Sequence, residues 1–230
     1  MKLSIIVPVY NEGQTLRILL DNIKNIDLGE VEKEIIVIDD CSEDSSQKIL
    51  LEENSKQVTK FFHSHNQGKG FAIRQGIKIA RGDYVLFQDA DLEYNPQDYI
   101  KLIQPIIDQK AKIVYGSRLS TQKTKFKLLY LFANKFLTFL TNLIYKSSLT
   151  DMETCYKLVP LKILREINLN ANGFEIEAEI TAKILRRGYE IVEVPINYTA
   201  RSRRQGKKIN FFDGIKTIHM LVKSKFKNIS

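Results

Sequence analysis

The chain has 230 residues, 43% of them hydrophobic, enough to bury one substantial core without splitting into two domains. A formal charge of +8 favours an anionic partner, namely nucleotide phosphates, nucleic acid or an anionic membrane face. Two cysteines and three histidines exclude a disulfide framework and are poor material for a structural zinc site, no apolar run reaches the roughly 18 residues of a membrane span, and Met1-Lys2-Leu3 leads into a core strand instead of a signal segment, so the expectation is a cytoplasmic chain with peripheral membrane contact at most.

Leu3 to Val9 is a β-branched run without alternation, as in a strand buried on both faces, and it ends at Tyr10-Asn11-Glu12-Gly13. Thr15 to Ile26 has helical spacing. Ile35 to Ile38 is a second compact strand, stopping at Asp39-Asp40-Cys41-Ser42, where Ser42, Asp44 and Ser45 are candidate caps for a following helix. Val58 to Phe62 reads as a third strand, Gly70 to Ala80 as a helix, and Tyr84 to Gln88 as a fourth strand that terminates at Asp89. A helix through Ile107, a strand at Lys112 to Tyr115 and Gly116-Ser117-Arg118 follow. Farther on, Phe126 to Tyr145 reads as an amphipathic helix because Lys127, Asn134, Lys135 and Asn142 interrupt its apolar residues. Glu175 to Arg187 is expected to be a helix ended by Gly188, Glu190 to Val194 a strand, and the tail from Phe211 a basic helix. Strands alternating with helices predict an α/β fold, a mostly parallel sheet flanked by helices, in a single domain.

In such sheets ligands bind at the carboxyl ends of the strands, and three of these strands end in polar or acidic residues. Asp89-Ala90-Asp91 places two carboxylates within one turn at that edge. Oxygen ligands suit Mg²⁺ or Mn²⁺, which leave positions open for substrate phosphates, and Glu93 is near enough to add a ligand. The competing reading is that Asp89 and Asp91 merely cap the next segment. Asp39 has the chemistry to accept hydrogen bonds from a base or ribose, and Tyr10 offers an aromatic face. Gly68-Lys69-Gly70 invites a phosphate-loop reading, but the full Gly-x-x-x-x-Gly-Lys-Ser/Thr pattern is absent.

Val7-Pro8-Val9-Tyr10-Asn11-Glu12, Ile38-Asp39-Asp40-Cys41-Ser42-Glu43-Asp44, Asn66-Gln67-Gly68-Lys69-Gly70, Arg81-Gly82-Asp83, Asp89-Ala90-Asp91-Leu92-Glu93 and Gly116-Ser117-Arg118 together resemble glycosyltransferase family 2. Leu149-Thr150-Asp151-Met152-Glu153-Thr154-Cys155-Tyr156-Lys157, Gly173-Phe174-Glu175, and Val194-Pro195 followed by Arg201 and Gly206-Lys207-Lys208 are similar to its dolichyl-phosphate and polyprenyl-phosphate hexose synthases. The resemblance covers nearly the whole chain. It implies a Rossmann-like GT-A fold, with residues 1–118 as the nucleotide-sugar half and 119–230 as the acceptor half. It further implies that Pro8, Tyr10, Glu12, Val37 and Asp39 line the nucleoside pocket, that Asp89, Ala90, Asp91 and Glu93 hold metal and diphosphate, and that Arg118, Arg201 and Lys208 meet phosphates. Position 93 is Glu where mannosyl-transferring members often have Gln, and Cys41 follows Asp40 where Gly or Asp is common, so the donor stays open between UDP- and GDP-hexoses.

The activity implied is inverting transfer of a hexose to a polyprenyl phosphate, with a saccharide hydroxyl as the alternative acceptor. Asp151 and Glu153 form a second acidic pair, with Asp151 the candidate base for the second acceptor, since a hydroxyl must lose a proton; equally, the pair reads as loop carboxylates bound to backbone amides. Glu175, Glu177 and Glu179 read as caps and solvated faces, and His63 and His65 as structural residues without identifiable partners. The Phe126 to Tyr145 stripe and the tail lysines Lys216, Lys223, Lys225 and Lys227 suit an anionic membrane surface, with core packing as the competing use of the stripe. Many members of this branch carry carboxy-terminal membrane spans that are not seen here, so lipid access is expected through surface docking or a separate membrane partner. A non-catalytic nucleic-acid-binding module is disfavoured, because carboxylates at the ligand edge repel a phosphate backbone.

Overall fold

A computed structural model describes residues 1–119, 128–201 and 211–226. Its centre is a seven-stranded sheet built from β1 (Lys2–Val9), β2 (Glu32–Asp39), β3 (Val58–Phe62), β4 (Tyr84–Phe87), β5 (Val114–Ser117), β6 (Lys157–Pro160) and β7 (Val192–Pro195), in the order β3-β2-β1-β4-β6-β5-β7. All pairs are parallel except those of β6, which runs antiparallel to both β4 and β5. The helices are α1 (Leu16–Asn25), α2 (Ser46–Glu52), α3 (Lys69–Ile79), α4 (Tyr99–Ile107), α5 (Leu128–Tyr145), α6 (Leu161–Glu166), α7 (Ile176–Arg186) and α8 (Phe211–Phe226), with a short 3₁₀ turn at Pro96–Asp98.

β1 lies between β2 and β4, and Leu3, Ile5, Ile6, Val7 and Val9 are all buried, which explains its lack of alternation. The elements expected from the chain pattern are present among the described residues, with ends that coincide or shift by at most three residues. Two were not anticipated: β6 and α6. β6 begins on a lysine and ends on a proline, and Lys157 is fully buried there because its ammonium has acceptors supplied by other parts of the chain.

A second, smaller apolar cluster joins α5, α7 and α8 through Leu137, Tyr145, Ala178, Ala182 and Leu221. One side of α5 packs there, so core packing accounts for part of its apolar stripe. The other side does not: Phe132, Phe136, Phe139 and Leu143 are exposed, as are Phe212, Ile215, Val222 and Phe226 of α8. No helix among the described residues is long and apolar enough to cross a membrane.

Candidate active site

The carboxyl ends of β1, β2 and β4 open on one edge, and each of the three loops there carries a non-glycine residue in the left-handed region: Asn11 (φ 52°), Cys41 (φ 61°) and Leu92 (φ 59°). Such residues need support from their surroundings. The first two loops brace each other: Asn11 N donates to Ser42 Oγ at 2.9 Å, Glu43 N to Asn11 Oδ1 at 2.8 Å and Glu12 N to Ser46 Oγ at 2.9 Å. Of the residues assigned to the nucleoside pocket, Pro8, Tyr10 and Glu12 line a cavity of about 960 Å³ at this edge. Val37 and Asp39 are fully buried behind that wall. Asp39 Oδ2 accepts from Ser42 N and Gln47 Nε2, whereas its Oδ1 is buried without a hydrogen-bond partner.

Asp40 is the residue that sequence reasoning passed over. It is buried, and its carboxylate accepts from Gln67 N at 2.9 Å and Gly68 N at 2.7 Å while meeting His63 Nδ1 at 2.7 Å. This fixes the loop that launches α3. A Cβ on Gly68 or Gly70 would stand 2.4 Å or 2.5 Å from the carbonyl oxygens of Asn172 and Ala171, so these glycines allow two backbones to touch instead of cradling a phosphate. His63 is thus a buried structural residue, as expected, and Asp40 is the partner that the sequence did not identify. The consequence is the position of Lys69, whose Nζ lies 2.7 Å from Asp89 Oδ1 and 3.1 Å from Glu177 Oε1.

At the end of β4, Asp91 Oδ1 accepts from Glu93 N, and its Oδ2 is 3.1 Å from Arg201 Nη2. Arg201 also grips both oxygens of Glu12, at 2.8 and 3.0 Å. Burial, joined by the charges of Asp89 and Glu93 and opposed by Arg201, pushes the Asp91 carboxyl up to about 7. Glu93 accepts from Tyr198 Oη and Arg201 N, so its oxygens are already engaged within the protein. Among the described residues no group of three or more acidic, histidine or cysteine side chains converges as a complete metal cage. Two crowded carboxylates on a cavity wall nonetheless fit Mg²⁺ or Mn²⁺, which takes one or two carboxylates and fills its shell with water and substrate phosphate oxygens.

Arg118 follows β5 and makes a two-pronged pair with Asp151: Nε to Oδ2 and Nη2 to Oδ1, both at 2.7 Å. Arg118 N adds a bond to Oδ2 at 2.9 Å and Asn134 Nδ2 one to Oδ1 at 2.8 Å. Burial acts to raise the Asp151 carboxyl, but Arg118 and Asn134 override it and hold it below the usual carboxylate range. A carboxylate so held is a poor proton acceptor and a good anchor. Arg118 in turn lies over the Tyr198 ring, 5.1 Å from its centroid, and lines the cavity. Lys208 lies outside the described residues.

Glu177 and Glu179 correct a sequence expectation. Both are buried, not solvated. Glu177 is shared between Lys69 and Lys157, whose Nζ is 2.6 Å from Glu177 Oε2, and Glu179 accepts from Asn170 N and Ala171 N. A Glu-x-Glu on a helix looks solvent-facing from its own neighbours; only distant lysines and a distant backbone reveal otherwise. Glu175 occupies the N-cap position of α7 but makes no side-chain cap to the helix; its carboxylate instead accepts from Gly173 N in the preceding turn.

The chain matches the family model "Glycosyl transferase family 2" over residues 4–167. It is 32% identical to the UDP-N-acetylglucosamine–dolichyl-phosphate N-acetylglucosaminyltransferase of Methanococcus voltae, across 95% of this chain and 94% of that one. It is 29% identical to the dolichol-phosphate mannosyltransferase of Pyrococcus furiosus, across 97% of this chain and 64% of the longer relative. In three dimensions it is similar to glucosyl-3-phosphoglycerate synthase from Mycobacterium tuberculosis in complex with Mn²⁺, UDP and phosphoglyceric acid, with a TM-score of 0.75 at 17% identity over 98% of this chain and 78% of that one. The same synthase in complex with Mg²⁺ and UDP gives a TM-score of 0.74. At that identity the likeness speaks for the fold, which is the GT-A arrangement expected. By its motifs, its sheet and the family model spanning most of its length, the chain belongs to glycosyl transferase family 2.

Proposed function

We propose that this enzyme transfers a hexose from a UDP- or GDP-sugar to a polyprenyl phosphate with inversion at the anomeric carbon. One observation carries the reading. The cavity has the carboxylates Asp89 and Asp91 on one wall, while Phe132, Phe136, Leu137, Ile215 and Ile218 of α5 and α8 line another. That apolar wall runs into the exposed Phe132, Phe136 and Ile215, so the site passes from charged to apolar within one space, as an acceptor with an ionised head and a hydrocarbon tail requires. The names of the Methanococcus and Pyrococcus relatives, both dolichyl-phosphate sugar transferases, support the same acceptor class.

In this mechanism an oxygen of the acceptor phosphate forms a bond to the anomeric carbon as the bond to the nucleoside diphosphate breaks. A phosphate oxygen is already ionised, so no base is required, in keeping with the engaged state of Asp151. Asp89 and Asp91 would hold Mg²⁺ or Mn²⁺, which neutralises charge growing on the departing diphosphate. Pro8 and Tyr10 orient the nucleoside, while Val37 and Asp39 of β2, paired with Val7 and Val9 of β1, brace the strand that leads to them. Arg201 bridges Glu12 and Asp91 and is placed to exchange those carboxylates for phosphate oxygens when the donor enters. Arg118, held by Asp151, presents its guanidinium at the cavity wall.

The exposed apolar residues of α5 and α8, with Lys216, Lys223 and Lys225 exposed on α8, form a face suited to peripheral docking on an anionic membrane. The experiment is a panel of UDP-glucose, UDP-N-acetylglucosamine and GDP-mannose with Mn²⁺ or Mg²⁺, with and without a short polyprenyl phosphate. A lipid-linked sugar is expected from one donor. Consumption of a donor only with a saccharide acceptor would replace the lipid by a hydroxyl acceptor, and failure of every donor to bind would overturn the reading.

A further inference from the structure

Resting on that reading, we infer that Glu153 is the residue that recognises the transferred sugar, accepting a hydrogen bond from a hydroxyl or amide N–H of the hexose. Glu153 lines the cavity, and its Oε1 is buried without a hydrogen-bond partner in the protein. Buried acceptors are nearly always satisfied in folded proteins, so a cavity-lining carboxylate with a buried oxygen left unpaired marks a place where a ligand donor belongs.

The segment is held rigidly. Lys157 Nζ donates to the carbonyl oxygens of Met152, at 3.0 Å, and of Thr154, on either side of Glu153, and Tyr94 Oη accepts from Cys155 N at 2.9 Å. A side chain projecting from a clamped backbone is pre-organised for one position. Burial, assisted by Glu177 and Asp151 and opposed by Lys157 and Arg118, pushes its carboxyl up to about 7, as expected of an acid short of donors within the protein.

Topology says which part of the donor lies there. Along the ligand edge the strands run β2, β1, β4, β6. The nucleoside wall stands at β2 and β1, the Asp89-Ala90-Asp91 turn at β4, and Glu153 just before β6, whose antiparallel direction brings its start to that same edge. An extended nucleoside diphosphate sugar laid in this order has its diphosphate at β4 and its hexose at β6. The local charge agrees. The charges that act on Glu153, the cations Lys157 and Arg118 against the carboxylates Glu177 and Asp151, offset one another and leave no surplus cation for a phosphate, which suits neutral hydroxyl or amide donors.

The test is titration calorimetry with Mn²⁺ on the wild type, Glu153→Gln and Glu153→Ala, using the three nucleotide sugars above and free UDP and GDP, followed by steady-state kinetics. The expected result is unchanged UDP or GDP affinity, about 10-fold or greater loss of affinity for the matching nucleotide sugar in Glu153→Ala, and a smaller loss in Glu153→Gln, whose amide oxygen still accepts. Equal loss for diphosphate and nucleotide sugar, or no loss for either, overturns the assignment. So does a rise in KM for polyprenyl phosphate with the donor KM unchanged, which would put Glu153 on the acceptor. A wild type that binds nucleotide sugars while the variants match it sinks this inference alone; a wild type that binds no nucleotide sinks the proposed function as well.

Discussion

Arg118 and Asp151 neutralise each other through two bonds of 2.7 Å, joining the end of β5 to the loop before β6. Both are buried. Removing one leaves the other charged and uncompensated, a change that costs about 3–5 kcal/mol for a buried pair. Asp151→Ala is therefore expected to lower Tm by roughly 10 °C in a chain of this size, measured by calorimetry, and Arg118→Ala to do nearly the same. If Asp151 instead tolerates alanine thermally and loses only turnover, it acts as a base and not as an anchor.

Metal dependence should be carried by Asp91. Asp91→Asn keeps the shape but removes the charge that attracts a divalent ion, so transfer should fall at least about 100-fold, and the gain in UDP or GDP affinity on adding Mn²⁺ should vanish. Titration of each nucleotide with and without Mn²⁺ reads this directly.

A pH dependence follows from Glu153. An acid whose folded pKa lies above its ordinary value binds more protons folded than unfolded between about 4.5 and about 7, so stability is present at low pH and declines as pH rises through that window. The decline is on the order of 1–3 kcal/mol. Without donor, Glu153→Gln should show a flatter Tm between pH 5 and 8 than the wild type; parallel profiles would mean that the carboxyl titrates normally.

Gly70 offers a steric test. The Cβ of Gly70→Ala would stand 2.5 Å from the Ala171 carbonyl oxygen, forcing α3 away from residues 171–172. The overpacking cost is about 1–3 kcal/mol, and because Lys69 moves with the helix, donor turnover should fall more than stability alone explains. Comparing activity at a temperature where the variant is fully folded separates the two effects.

The membrane face is checked by co-sedimentation with vesicles of anionic or neutral lipid. Replacing Phe132 and Phe139, both well exposed on α5, by serine should reduce binding severalfold without changing Tm. High salt should weaken what remains, since lysines of α8 supply the electrostatic share.

The side of the sheet formed by β2, β1 and β4 was legible because its strands are locally decisive: compact apolar runs that stop at Asp39 or just before Asp89 declare both their burial and the edge they face. Lys157 and Glu177 defeated the same approach. A lysine heading a strand and a glutamate on a helix look solvent-facing, and only their meeting across the fold, at 2.6 Å, makes burial of either tolerable. Glu153 belongs with them: its sequence neighbours suggested a general acidic pair, whereas its surroundings distinguish it sharply from Asp151. Asp40 was missed for a different reason, since its partners are two backbone amides and a histidine that no local spacing announces.

The placement of β6 has a bearing on how the chain is made. β5 is synthesised before β6 but reaches the rest of the sheet only through it, so β4 and β5 cannot be joined until residues 157–160 have emerged and turned back. Up to that moment a nascent chain carries a hydrophobic strand, Val85–Phe87, with one unsatisfied edge, and unpaired edges invite association with other chains. Fragments ending between β5 and β6 should for that reason be insoluble, whereas a chain carried through α6, which follows β6 directly, closes the gap.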